Sequence, residues 1–256
     1  MIALALDTSG PVGSVAVLVD DEGAASANSG GVGNGLRVLA RRTIGHGMRH
    51  GVELFPAIEA ALAEASRAAR EIDVVAVGTG PGSYTGLRVG VTAARALAYA
   101  AGAELIGVPS CDALAESTPI WAEAQSTASS SAPTSHARNA ILAVVVDARV
   151  RAVYVALYRA VEGVWTRDAD PEILPPAEAA IRIPAGAFVI GDGPDAHADA
   201  FAAFRRVDES NDVGAPSVAR LALALRARGE RQKIDAVTPL YLRKTEAERK
   251  LARGEL

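Results

Sequence analysis

The sequence predicts an α/β protein built from two related lobes, and three observations carry that reading. Apolar strand-like runs alternate with helical runs along most of the chain. An apolar strand that ends in Asp, turns briefly and continues as a second apolar strand occurs twice, at residues 2–19 and 141–158. A third echo, Phe188-Val189-Ile190-Gly191-Asp192-Gly193, is a strand opening into a glycine turn. A duplicated hairpin core separated by helices implies two domains of similar design with a cleft between them. The division expected is a first lobe at 1–110, a second at 111–235, and a C-terminal extension at 236–256.

The elements follow in order. Residues 2–6 form a strand, Asp7-Thr8-Ser9-Gly10-Pro11 supplies turn chemistry, and residues 14–19 form the returning strand. The polar, glycine-rich patch 20–35 reads as a loop tip, and 36–43 as a third strand. Val52, Leu54, Phe55, Ile58 and Leu62 fall at helical spacing with Glu53, Glu59 and Glu64 between them, and Pro56 is placed near that helix's start. Strand 72–77, a glycine turn, helix 87–101 and strand 104–108 come next. Residues 121–140 are rich in Ser, Ala and Thr and read as a mobile loop. The tail 244–256 alternates charges in a helical pattern that fits a solvated helix, or one that docks.

Composition narrows the function. The chain has 256 residues, with Lys+Arg 26 against Asp+Glu 30, a formal net charge of −4. Autonomous nucleic-acid binding normally shows a basic surplus, so any RNA contact is expected to be shared with a partner. One cysteine, Cys111, excludes an internal disulfide framework and suits a reducing cytosol. No stretch reads as a signal peptide or a bilayer span, so a soluble cytoplasmic protein without membrane contact is expected.

The run GTGPGSYTGLRVG, residues 78–90, sits between a strand and a helix, where glycine turns often cradle phosphates. Neither phosphate motif is satisfied. The Walker pattern would need Gly at Pro81 and Lys at Leu87, and the dinucleotide pattern would need Gly at Ser83 or Thr85. Gly86, Gly90 and Ala94 instead recur every fourth residue and make a smooth stripe along the next helix, beside Leu87 and Val91. Such a stripe lets another helix approach closely. Two readings stand at this point: a docking face shared with helix 52–66, or two helices that pack on each other and on their own sheet.

Together Asp7-Thr8-Ser9, the 78–90 run, Asp147-Ala148-Arg149 with Val153-Tyr154, the Gly191-Asp192-Gly193 turn and Pro239-Leu240-Tyr241-Leu242-Arg243 resemble the TsaB (YeaZ) family. The resemblance implies an actin-like (ASKHA, ribonuclease H-like) fold. It implies a bacterial subunit that pairs with the catalytic paralogue TsaD and works with the ATPase TsaE. Their shared task would be attaching threonylcarbamoyl to adenosine 37 of tRNAs that read codons starting with A. It further implies a homodimer when the chain is alone, tRNA contact only through the complex, and an interface on first-lobe helices. His50, Leu54, Ile58, Leu62, Tyr84, Gly86, Leu87, Gly90, Val91 and Ala94 are the interface residues expected on that basis.

Catalytic equipment is sparse. Aligning the shared Gly107-Val108 puts Ser110 and Leu114 where TsaD carries two metal-binding histidines, so no metal site is expected. His46 and His50 stand four apart but lack the glutamate of a zincin, with Gly47 in its place. Asp195, His197 and Asp199 do not converge on one helix face and read as a solvated segment. Cys111, Ser9 and Ser83 have no motif-defined base, and no catalytic residue is assigned. An actin-like kinase needs two turns that approach phosphates, and Ala148 and Arg149 crowd the second. Feeble ATP or ADP binding is therefore the most expected, through Asp7, Thr8, Ser9, Gly191, Asp192 and Gly193, with no resident cofactor. Two rivals remain: a self-sufficient acyl or phosphoryl transferase with Asp7 or Asp147 as base, and an obligate homodimer.

Overall fold

The computed structural model describes residues 1–20, 35–45, 50–118, 140–207 and 214–243. The loops expected at 20–35 and 121–140, His46 and the tail from Lys244 lie essentially outside the described residues. Among the described residues no helix is long and apolar enough to cross a membrane.

The first lobe is built on β1 (Ile2–Asp7), β2 (Gly13–Asp20), β3 (Leu36–Ile44), β4 (Val74–Gly78) and β5 (Glu104–Val108), in the order β3-β2-β1-β4-β5. β1 pairs antiparallel with β2 and parallel with β4. Helices α1 (His50–Glu64), α2 (Tyr84–Ala101) and α3 (Ser110–Glu116) follow β3, β4 and β5. The second sheet comprises β6 (Ile141–Asp147), β7 (Val153–Val161), β8 (Val164–Arg167), β10 (Phe188–Ile190) and β11 (Arg205–Arg206), with β9 (Glu172–Leu174) paired to β7. Its order, β11-β10-β6-β7-β8, is that of the first sheet written backwards, with β6 and β7 the counterparts of β1 and β2. The duplicated hairpin is thus the central pair of each lobe.

The central strands are apolar throughout because both faces of each sheet are covered. In the first lobe α1 and α2 bury Leu54, Ile58, Leu62, Val91 and Ala94 against Leu4, Leu6, Val15 and Val77. The opposite face offers Ala3, Ala5, Ala16 and Ala76, and α7 (Ala215–Ala227) lies on it through Val218, Ala219, Ala222 and Leu223. The expected boundary is corrected here: α7 falls within 111–235, yet it packs on β1, β2, β4 and β5 of the first lobe. Val237, of the expected extension, is buried in the first-lobe core as well. The alanines explain the exchange, since only small side chains let a helix settle this close to a sheet. α3 packs against α7, while its Cys111 and Ala115 join the second-lobe core around Leu142, Val144 and Tyr158. Helices α4 (Pro176–Arg182) and α6 (Ala198–Phe201) pack on the second sheet through Ala179 and Phe201, and the short α5 (Gly193–Ala196) lies against β6.

The glycine stripe is the second correction. A Cβ on Gly86 would run into the Thr8 carbonyl oxygen, and one on Gly90 into Thr8 Oγ1. Thr8 is fully buried and its hydroxyl donates to the Gly86 carbonyl at 2.7 Å. Ala94, Leu87, Val91, Leu54, Ile58 and Leu62 are likewise buried by the chain itself. The bare edge of α2 exists for the β1–β2 turn of the same chain, and these eight residues present no free docking surface. α1 also starts earlier than expected, at His50, which places Pro56 inside it. The proline's missing N–H leaves a carbonyl unpaired within the helix one turn back, at Val52, on the exposed side. α2 is delimited by Ser83, whose hydroxyl accepts the Gly86 N–H at 3.2 Å, and by Gly102 in the left-handed region with φ 68°.

Gly86→Ala is expected to lower the unfolding free energy of the isolated chain by about 1–3 kcal/mol, the range for overpacking a filled core. A urea midpoint that falls at unchanged slope would show it. An unchanged midpoint would return the stripe to the role of a free surface.

Candidate functional site

Two features could serve a ligand or a partner: a cleft between the lobes, and the outward face of α1 and α2.

The cleft holds about 820 Å³, within the range of small-molecule sites. Its first-lobe wall is the β1–β2 turn with Asp7 and Ser9, joined by Arg41 and Thr43 of β3; its second-lobe wall includes Gly191, Asp192 and Arg206. Four of the six nucleotide-site residues named from sequence, Asp7, Ser9, Gly191 and Asp192, therefore meet in one place. The other two do not line it. Thr8 turns inward onto α2. Gly193 is buried against β6, where a Cβ would stand 2.7 Å from Val145 Cγ1. Ser110 and Leu114, at the positions aligned with the metal-binding histidines of TsaD, both line the cleft. Gly78 lies between Asp7 and Ser110, since a Cβ there would stand 2.7 Å from Asp7 Oδ1 and 2.9 Å from Ser110 Oγ.

Phosphate cradles need unpaired backbone N–H groups, and in this chain the two turns keep several of theirs. The Ser9 N–H donates to Asp7 Oδ1 at 2.9 Å. In the β6–β7 turn the Asp147 N–H donates to Asp192 Oδ1 at 2.8 Å, the Arg149 N–H to Asp147 Oδ1 at 3.0 Å, and the Ala148 N–H to the Ala152 carbonyl at 3.0 Å. A triphosphate would have to displace the chain's own carboxylates, so the second turn does not fit an ATP phosphate chain as it stands. Among the described residues no cluster of three or more His, Cys, Asp or Glu side chains could hold a metal ion.

His197 differs from its expected place in a solvated segment. The chain breaks at this residue between α5 and α6, with φ −137° and ψ 49°. Its Nε2 comes to 3.4 Å from Asp147 Oδ1 and the ring is largely covered. Even spacing cannot reveal this contact, because it depends on that break. Burial pushes the Asp192 carboxyl above the usual carboxylate range, and the neighbouring Asp147 charge adds to the rise. The Asp147 N–H hydrogen bond and Arg149 oppose it. Cys111 is fully buried, and desolvation drives its thiol far above the ordinary range, so it is no nucleophile.

Large apolar side chains of α1 and α2 reach water beside polar ones such as Glu59, Thr85 and Arg88. Val52 is 78% exposed, Phe55 49% and Tyr84 45%. The Arg88 guanidinium stands 5.5 Å from the centre of the Tyr84 ring. Of the expected interface residues Tyr84 alone is described as exposed; His50 opens α1, and its side chain lies outside the described residues. Sequence spacing had placed Val52 and Phe55 on the same helix without separating its outward face from its inward one.

A family model described as "TsaD: tRNA N6-adenosine threonylcarbamoyltransferase" matches residues 46–197, more than half of the chain. An uncharacterized protein of Mycobacterium tuberculosis is 32% identical over 212 residues, 83% of either chain. The tRNA threonylcarbamoyladenosine biosynthesis protein TsaB of Escherichia coli is 28% identical, covering 79% of this chain and 84% of its own length. The solved structure of YeaZ from Pseudomonas aeruginosa superposes with a TM-score of 0.69 at 26% identity, over 94% of this chain and 99% of that one.

The Asp192 environment sets a pH dependence. A carboxyl whose folded-state pKa is raised favours the fold fully below its unfolded value and loses that contribution as pH rises through the folded value. Asp192→Asn keeps an amide oxygen for the Asp147 N–H and removes the buried charge. Relative to wild type it is expected to gain stability above the carboxylate range, with the gain vanishing as pH falls below the ordinary Asp value. Paired urea titrations from pH 3 to 8 check the sign.

Proposed function

The chain belongs to the TsaB (YeaZ) family of tRNA threonylcarbamoyladenosine biosynthesis proteins, and from that premise we propose that it acts there as a docking subunit whose catalytic partner is of the TsaD type. The observation that carries the reading is chemical. The cleft positions aligned with metal-binding histidines are Ser110 and Leu114, neither of which replaces an imidazole. The Asp147 and Arg149 amides that would face a phosphate chain are occupied by Asp192 and Asp147. Exposed large apolar side chains of the first-lobe helices include Val52 and Phe55 on α1, with Tyr84 at the start of α2 stacked on Tyr241. Large apolar side chains clustered on one exposed face mark protein-binding surfaces.

In this reading the partner's helices cover Val52 and Phe55, and two copies of the chain use the same face when no partner is present. TsaE and tRNA are engaged through the assembled complex, in keeping with a net charge of −4 that offers no general attraction to RNA. ATP or ADP binds the isolated chain weakly if at all. The setting expected from the sequence is the cytoplasm.

Phe55→Glu puts a charge into the proposed contact. Co-purification with the TsaD-type partner is expected to weaken by tenfold or more, as for an anchor residue. The isolated chain should keep its thermal midpoint at concentrations where the wild type is monomeric, because Phe55 contributes little to the core. Asp7→Ala, by contrast, is expected to leave threonylcarbamoyladenosine in tRNA near wild-type levels when nucleosides are measured by mass spectrometry. Loss of the modification with Asp7→Ala, while the complex still assembles, would favour a transferase working in this cleft.

A further inference from the structure

Arg149, Val150 and Arg151 form an uninterrupted left-handed stretch, with φ of 60°, 47° and 54°. Left-handed backbone is unfavourable for a non-glycine residue and worst for a β-branched side chain. Val150 is exposed, so packing of its side chain does not hold the turn. Such a conformation persists only where its surroundings impose it.

The imposing group comes from the far end of the chain. Arg243 Nη1 donates to the Ala148 carbonyl at 2.6 Å and to the Arg149 carbonyl at 3.1 Å. Its charge also acts on the Tyr154 phenol, which Asp147 faces as well. Arg243 is itself held by a line of first-lobe contacts. The Gln232 side chain bridges the N–H and carbonyl of Gly107 on β5, at 3.0 and 3.4 Å. Arg95 of α2 donates to the Ile234 and Asp235 carbonyls. Val237 is buried beside Gly107. The Leu240 N–H donates to the Thr79 carbonyl at 2.8 Å, and the Tyr241 ring lies 4.8 Å from that of Tyr84. Leu242 then packs on the second-lobe core.

We propose that residues 232–243 are a latch, anchored on the first lobe, whose Arg243 positions the β6–β7 turn and through it the second-lobe wall of the cleft. The turn begins at Asp147, whose N–H meets Asp192 and whose carboxylate meets both the Arg149 N–H and His197. Releasing the Arg149 carbonyl therefore loosens the residues that set the wall. This inference stands on contacts within one chain and does not depend on the docking reading above.

Amide hydrogen exchange with site resolution tests it, using full-length protein. In Arg243→Ala the amides of Ala148, Arg149 and Ala152 are expected to exchange about tenfold faster, the loss of a charge-assisted grip on two carbonyls. First-lobe strand amides should not change, and trypsin should cut after Arg149 or Arg151 correspondingly sooner. Unchanged exchange in the turn of a folded Arg243→Ala protein overturns the latch. Should that variant unfold globally, Tyr241→Ala decides, because its ring stacks on Tyr84 of the first lobe. Faster exchange confined to the 148–152 turn then supports the latch, and an unaltered turn overturns it.

Discussion

Much of this architecture rests on how closely the β1–β2 turn sits on the start of α2. Thr8 is buried with its hydroxyl on the Gly86 carbonyl, in space that any side chain at Gly86 or Gly90 would fill. The neighbouring Ser83 N–H reaches the Ser9 carbonyl at 2.7 Å, and Gly82 lies against the same residue. Glycine is required here for clearance and not for φ, since a Cβ at Gly82 or Gly86 would meet backbone that cannot swing aside and one at Gly90 the buried Thr8 hydroxyl. The consequence reaches beyond the turn. From the same segment Gly80 exchanges hydrogen bonds with Ser110 at the head of α3, and Thr79 receives the Leu240 N–H. One glycine-rich run thus joins the first strand pair, the connection into the second lobe and the C-terminal segment.

The two lobes share a sheet order, yet they are not separable units. α3 closes the first lobe in sequence and contributes to the second core, while α7 follows the second lobe in sequence and covers the first sheet. Tyr158 donates to Asp112 at 2.7 Å, Trp165 Nε1 to the Thr118 carbonyl at 2.9 Å, and Arg220 of α7 to Glu116 at 2.7 Å. Tyr158 is one of the largest fully buried side chains, so its bond to Asp112 is made where an unpaired hydroxyl would be costly. The α3 segment is thus tied to both lobes, so opening them as rigid bodies would break either its bonds to Tyr158 and Trp165 or its bond to Arg220. The alanine-rich composition becomes intelligible in this light, because two helices fit between two sheets only where side chains are small.

The strand pairs were legible in the sequence because apolar runs ending at Asp7 and Asp147 keep their register over six or seven residues and both faces are buried. The convergence of Asp7 with Asp192 was legible too, since each follows a strand whose end faces the cleft. Three things were not. Periodicity marked Gly86, Gly90 and Ala94 as one smooth edge but could not say what fills it, and the filler, Thr8, is 78 residues from Gly86. The apolar positions of α1 were visible as a broad arc, and only packing separated buried Leu54 and Ile58 from exposed Val52 and Phe55. α7 crosses to the first lobe because of the alanine face of that sheet, a tertiary fact that chain order hides.

The cleft is better read by its hydrogen bonds than by its volume. About 820 Å³ would admit a nucleotide on size alone, but the lining sets three aspartates, Asp7, Asp192 and Asp195, against two arginines, Arg41 and Arg206. A phosphate site, however, is made from donors left over, and here the Asp192 and Asp147 carboxylates accept N–H groups that would otherwise face an incoming oxyanion. These internal acceptors have a second effect, because they set negative charge where phosphate charge would have to come. A ligand would meet repulsion and lost hydrogen bonds at once, at the turn where an actin-like kinase requires the opposite. The carboxylates of Asp147 and Asp192 are in this way engaged by the chain's own backbone. On α1, Val52 and Phe55 stay exposed, and in the docking reading proposed above these are the side chains a partner would cover.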